Sequence, residues 1–447
     1  MKNIVIIWAW AAGLMVASTI LEDHSGEYSI HLFDKNISPW KKVILSWWWR
    51  CNVTTSIEDK KLLATKYTRG WGFIRKAMWR FSPRKCQEWF ESHGVPLKIE
   101  EDFRVFPVSD DGRDIVWVFE DIFAKNRDRV LLHYGEGVSR VSIVWPRWDS
   151  SIDQTIDTHS SNLLNDTENN ATTSQDSTQI RQGKYLITTT KSSYEADILV
   201  ITTWGNAYGN TWSTGDGYAF ARALWHRITE LWPSLSSFLT EDSWLHALSG
   251  LAFQDAKIGN LLWPLLLTHF GISGPLAFMI SSEYAWEKIE KWNPRSIFFS
   301  PIASMNLASW EDFLKDQFQS HPKKFIMSIL SEKLPRRFVE AFIAQYFPHR
   351  EKTFVWSLSR TDREQISRLL WVWIPLTLLE RRPGDEFVTA GGVDTDDLDS
   401  ETMQSKIHKN LYFAGEILNV DGYTWGFSLQ ICWASGYVVG RNIAFDL

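Results

Sequence analysis

The chain has 447 residues and a net charge of −6, with 44% hydrophobic and 22% charged residues. That is ordinary for a globular protein and gives no electrostatic footprint for nucleic acid. Cys51, Cys86 and Cys432 are too few and too scattered for a disulfide framework or a metal site, which fits a reducing, cytoplasmic compartment. The abnormal figure is 26 tryptophans beside only 25 glycines.

Lys2 to Ile7 is a short β-branched run that reads as a buried strand of a parallel sheet. A tight turn, Trp8-Ala9-Trp10-Ala11-Ala12-Gly13, leads into a helical run from Leu14 to Leu21. A second strand, Tyr28 to Phe33, ends on Asp34. Strand, turn, helix, strand and acid is the layout of a dinucleotide-binding βαβ unit, in which the acid holds a ribose. The fingerprint asks for glycine at 8, 10 and 13, and the first two are tryptophan. The uncharged stretch 4–21 is long enough for a membrane span, but it divides at 8–13 into strand and helix, so no membrane segment is expected.

After Asp34 and Lys35 come Lys41 and Lys42, then Ser46-Trp47-Trp48-Trp49-Arg50-Cys51-Asn52. Three glycines at 47–49 would make a turn whose amides face a phosphate or a ring edge. Residues 128–145 read as strands. Residues 149–179 are rich in Ser, Thr, Asn and Asp and read as a disordered insertion. The glycosylation sequons at Asn165 and Asn170 are read as chance matches. Ile198 to Thr203 is another buried strand, running into Trp204-Gly205, and a helix is expected from Gly217 to about Leu224. The stretch 229–383 reads as an insertion with strand-like pieces and a helical part at 309–370. The chain closes with Leu411 to Glu416 and then Asp421-Gly422-Tyr423-Thr424-Trp425-Gly426-Phe427-Ser428-Leu429-Gln430, a turn opening a final helix. Helix N-termini offer unpaired amides and a partial positive charge.

These blocks, in this order, resemble the BaiN/YhiN-like, aminoacetone oxidase-like family of FAD-dependent oxidoreductases. Its Ser-Gly-Gly-Gly-Arg-Cys-Asn block matches Ser46, Arg50, Cys51 and Asn52, with Trp47 to Trp49 on the glycines. Arg80 to Pro83, Gly94 to Leu97, Arg104 to Pro107, Thr211 to Ala219 and Thr268 to Pro275 match further blocks. The resemblance implies an α/β, doubly wound Rossmann-type FAD-binding domain built from 1–228 and 384–447. An inserted β-rich and helical cap, 229–383, covers the flavin. It implies non-covalent FAD held by Trp8, Trp10 and Ala11 to Gly13, by Asp34, Lys35 and Lys42, by 46–48 and 50–52, and by Thr203, Trp204 and Gly205. Gly415 and Glu416 are placed at the ribityl or phosphate part, and Trp425, Gly426, Phe427, Ser428 and Leu429 at the ring. The implied chemistry is hydride transfer between flavin and a small organic substrate or NAD(P)H, with no metal, nucleic-acid or membrane partner. A non-catalytic scaffold of the same fold is the alternative if the tryptophans are genuine.

Some assignments stay open. Arg50 is read as the partner of a phosphate or of a surface acid. Cys51 reads as a small buried filler before a redox thiol. His269 is the one attractive acid/base candidate of the insertion, although a packed structural histidine is the commoner role.

Trp8, Trp10, Trp47, Trp48, Trp49, Trp204, Trp212 and Trp425 all stand on family glycines, and Trp40, Trp225 and Trp263 extend the pattern. An L-residue at positive φ costs ~1–2 kcal/mol and overpacking a tight site ~1–3 kcal/mol. Summed crudely, the set approaches the ~5–15 kcal/mol stability of a whole domain. Substitution in one direction, to one residue, is the trace left when UGA codons read as glycine in the cell are translated as tryptophan. UGG codons at 8, 10 and 47–49 would contradict this.

Overall fold

The computed structural model describes residues 1–37, 50–144, 183–207, 214–350 and 352–447. The expected insertion at 149–179, both sequons, and Trp40, Lys41, Lys42, Ser46, Trp47, Trp48, Trp49 and Trp212 lie outside them. Strand β1 (Lys2–Ile7) leads into helix α1 (Ala11–Asp23), which starts three residues earlier than the periodicity predicts, and then into β2 (Tyr28–Asp34). Further on come β3 (Val130–Tyr134), β4 (Ile198–Ile201), helix α2 (Asp216–Ala223), β5 (Leu411–Phe413) and helix α3 (Trp425–Asp446). The five strands form one parallel sheet in the order β5-β4-β1-β2-β3. Ile4 to Ile7 and Ile198 to Ile201 are buried on both faces, which accounts for unbroken apolar runs rather than alternation.

The register aligns the strand ends. Ile7 pairs with Phe33 on one side and Ile201 on the other, and Ile201 pairs with Phe413. The turns that leave β1, β2, β4 and β5 therefore open at one edge, the place where open α/β sheets bind ligands. Helix α3 lies along α1. A Cβ on Gly436 would come within 2.6 Å of the Ala12 carbonyl, so only glycine permits this approach.

The sequence showed only strand-like pieces for the middle of the chain. They close into a six-stranded barrel of Phe238–Thr240, Gly271–Ser273, Leu261–Thr268, Ala252–Ile258, Arg295–Ser300 and Ile374–Arg381. Helices Leu307–Ser320, Ile326–Leu330, Arg336–Tyr346 and Arg360–Arg368 pack on it through Trp310, Ile329, Phe338, Phe342 and Ile366. A single strand of such a barrel carries too weak a signal for its closure to be read locally. Among the described residues, no helix is long and apolar enough to cross a membrane.

His226, just past α2, is 3% exposed, and its Nε2 bonds the Ser405 hydroxyl at 2.8 Å. Burial, and then the neighbouring His408, push its pKa from 6.5 to about 4. A depressed folded-state pKa gives stability that is whole above about pH 6.5 and lost as pH falls toward 4, by at most about 3 kcal/mol. We expect the urea midpoint to fall over that window, and to fall less in His226→Gln. Equal slopes in the two proteins would contradict the assignment.

Candidate functional site

The mouth of β1 is built from backbone. The Trp8 amide donates to the Phe33 carbonyl at 2.8 Å. The Thr202 hydroxyl donates to the carbonyls of Ile7 and Trp8 at 3.0 and 2.9 Å. A Cβ on Gly13 would lie 2.3 Å from the Trp8 carbonyl, which explains glycine at the third position of the fingerprint. Trp10 caps α1 with no side-chain bond of its own, and the first residues of the helix, Ala11 and Ala12, are fully buried. The start of α1 thus sets its helix N-terminal amides at the strand ends, a ready anion site.

Asp34 closes β2 and is 1% exposed. The Asn36 amide and Nδ2 donate to its Oδ1 at 2.7 and 3.0 Å. Burial raises its pKa to about 6 against the opposing pull of Asn36, the Ala9 amide and Lys35. Its Oδ2 has no hydrogen-bond partner among the described residues. A buried, half-satisfied carboxylate is costly unless a ligand completes it. Lys35 Nζ binds Asp216 at 2.9 Å and Thr214 at 2.6 Å, and lies 4.7 Å from the centre of the Trp8 ring. The cavity among Trp8, Asp34, Lys35, Gly137 and Asp216 measures only about 10 Å³, room for one water at most.

The other expected residues gather from β4, β5 and α3. Thr203 packs against Gly217 with its buried hydroxyl unpaired among the described residues, and Gly205 sits against Thr389. Thr389 donates its amide to Glu416 Oε1 at 3.3 Å, and the Gly415 amide donates to Ser435 at 2.9 Å. At the start of α3, Gly426 packs on the buried Asn52, Ser428 bonds the Thr424 carbonyl, and Phe427 and Leu429 are buried. The side chain of Trp425 lies outside the described residues. Thr54 donates to Gln430 and Gln430 to the Phe81 carbonyl, at 2.6 and 2.8 Å, which ties the Arg80 to Pro83 block to α3.

Phe427 also borders a cleft of about 800 Å³ between this helix end and the barrel, lined by Lys66, Phe103, Arg104, Gln254 and Trp263. Strand Tyr67–Arg69 pairs with Asp421–Gly422 beside it. Tyr423 donates its hydroxyl to Glu283. Asp421 is buried 3.8 Å from the Arg69 guanidinium, which stacks over Trp286. Sequence reading missed Lys66 and Gln254 as cleft residues, and Arg69 and Glu283 as the partners of Asp421 and Tyr423. Asp421 and Tyr423 fall in a block it quoted, without a role, because the contact that places them spans more than 350 residues of chain.

Three candidates are not brought to the mouth as site groups. His269 is exposed at the turn after Leu261–Thr268, edge-on to Phe270. It lies six residues along the strand from Trp263 at the cleft, roughly 20 Å away. Arg50 binds acids, Glu100 at 2.5 Å and Asp110 at 2.7 Å. Cys51 is buried near Cys86, whose thiol burial pushes up, as befits fillers rather than reactive thiolates.

The family description "HI0933-like protein Rossmann domain" matches residues 2–144 and 144–442. The chain belongs to the HI0933-like family. Its fold is the Rossmann-like, FAD-binding type. The HI0933-like chain is 24% identical to the 3-dehydro-bile acid delta(4,6)-reductase of Clostridium scindens, over 99% of both proteins. It is 28% identical to the ribosomal RNA dihydrouridine synthase of Haemophilus influenzae over 58% of this chain and 64% of that one. Among solved structures, the 3-ketosteroid delta1-dehydrogenase of Sterolibacterium denitrificans aligns over the whole of both chains with a TM-score of 0.49 and 8% identity.

Asp34 and the start of α1 suit the ribose and pyrophosphate of a dinucleotide. The HI0933-like chain as read does not fit one. Trp8, Trp10 and Trp204 are at most 8% exposed and fill the strand mouths with their indoles.

Proposed function

We propose that the glycine form of this chain, with glycine at 8, 10, 47–49, 204, 212 and 425, is an FAD-dependent oxidoreductase. It holds FAD non-covalently in the domain of residues 1–228 and 384–447. It oxidises or reduces a small organic substrate in the cleft beneath the cap of residues 229–383, with NAD(P)H as reductant, in the cytoplasm. The observation that carries the reading is the buried Asp34 at the mouth of the first βαβ unit, whose Oδ2 has no hydrogen-bond partner among the described residues. A small substrate rather than RNA is favoured by the net charge of −6.

The test is a screen of NAD(P)H and of saturated carbonyl compounds, as hydride donors, on the purified glycine form, following flavin absorbance without oxygen. Bleaching by a member of these classes, and recovery on admitting air, are expected. A yellow protein that none of them bleaches would contradict the activity. The 10 Å³ cavity favours a second reading for the chain as read, a non-catalytic scaffold of the same fold. That form is expected to purify colourless.

A further inference from the structure

The misfit between the dinucleotide and the strand mouths has a pattern of its own. We infer that positions 8, 10, 204 and 225 carry glycine in the protein the cell makes, whereas Trp89 and Trp433 are tryptophan there. This deepens the flavin reading but does not depend on it, because one of the four positions lies on a helix end away from the strand mouths.

That position is Trp225. Helix α2 ends at Ala223, with Leu224 as its cap. The Trp225 amide donates to the Arg222 carbonyl and the His226 amide to the Ala221 carbonyl, both at 2.9 Å. These are the two reversed bonds of a Schellman cap, whose hinge residue is left-handed and usually glycine. Trp225 has φ +63° and is 61% exposed, so no burial offsets the strain of its Cβ.

Trp8 repeats the fault at φ +89°. Its peptide cannot turn away, since its amide is held by Phe33 and its carbonyl by Thr202. Trp10 and Trp204 show a different one. Their ring centres are 3.7 Å apart at a tilt of 45°, closer than tilted aromatic pairs pack, ~4.5–7 Å. The Trp10 Nε1–H is buried without a partner among the described residues, as are those of Trp232 and Trp310.

The other class satisfies every requirement of an indole. Trp433 is fully buried in α3, donates Nε1–H to the Val53 carbonyl at 2.9 Å, stacks on Phe119 and meets Phe90 edge-on. Trp89 donates to Glu22 at 3.2 Å and packs against Phe119. Strained backbone and colliding rings thus fall on one set of these six tryptophans and spare the other. A uniform decay of the gene would not sort them so; a UGA codon read as glycine would.

The test is the gene and the peptides it yields. UGA is expected at codons 8, 10, 204 and 225 and UGG at 89 and 433, with peptides from the source organism showing glycine masses at the first four positions. UGG at those four codons, or tryptophan masses there, would overturn the inference. A second measurement needs no native material: Trp225→Gly, an exposed large-to-small change, should raise the unfolding midpoint by about 2–4 °C, and a fall would count against it. Glycine masses from a colourless protein would leave this inference standing and remove the flavin reading. Tryptophan masses from a yellow protein would do the reverse.

Discussion

Adding FAD to the glycine form should raise its unfolding midpoint, and adding it to the chain as read should not. A ligand at 100 times its Kd stabilises the folded state by about 2.7 kcal/mol, roughly 5–10 °C for a domain of this size. The contrast follows from volume: about 10 Å³ is open beside Asp34 while the indole of Trp8 lies over Lys35. Restoring tryptophan at position 8 alone should therefore abolish the shift, because that ring blocks the place where the ribose would meet the unpaired Oδ2. The measurement is a thermal melt with and without FAD. Equal shifts in the chain as read and the glycine form would mean that the indoles do not obstruct the site.

The second large effect concerns pH. Burial raises the pKa of Asp421 from 3.8 to about 7, against the pull of Arg69 and the Gly391 amide. A carboxyl raised in the folded state contributes stability that is whole below about pH 4 and lost as pH climbs through 7. The loss is at most about 4 kcal/mol. Asn keeps the shape and the neutral charge, so Asp421→Asn should match the parent near pH 4 and exceed it at pH 8. Urea midpoints at the two pH values check this. His226 titrates in both proteins and cancels in the difference. A variant no more stable than its parent at pH 8 would contradict the buried, half-paired carboxyl seen beside the cleft.

The first βαβ unit was legible because its logic is local. A β-branched run, a glycine pressed on a carbonyl at Gly13 and an acid at a strand end lie within 34 residues. The ends of β4 and β5 were legible for the same reason, as apolar strands running into Gly205 and Gly415. The barrel was not, since Leu261–Thr268 pairs with partners on both sides whose register depends on the whole circuit. His269 looked functional because a histidine beside Phe270-Gly271 sits in a family block, yet strand length sets it at the wrong end. Arg50 divided evenly between phosphate and acid on sequence grounds; Glu100 and Asp110, brought near by the fold, engage it in this structure. Trp225 shows the converse: sequence offered it as one more suspect beside a genuine Trp89, and the backbone hydrogen bonds and positive φ supply the physical reason.

Everything proposed for the first βαβ unit turns on where a dinucleotide lies. A crystal structure of the glycine form grown with FAD tests this most directly. The account predicts the adenosine ribose hydroxyls within hydrogen-bond reach of Asp34, ~2.6–3.2 Å, with the pyrophosphate on the amides that open α1. FAD bound elsewhere, with Asp34 facing only solvent or protein, would contradict it.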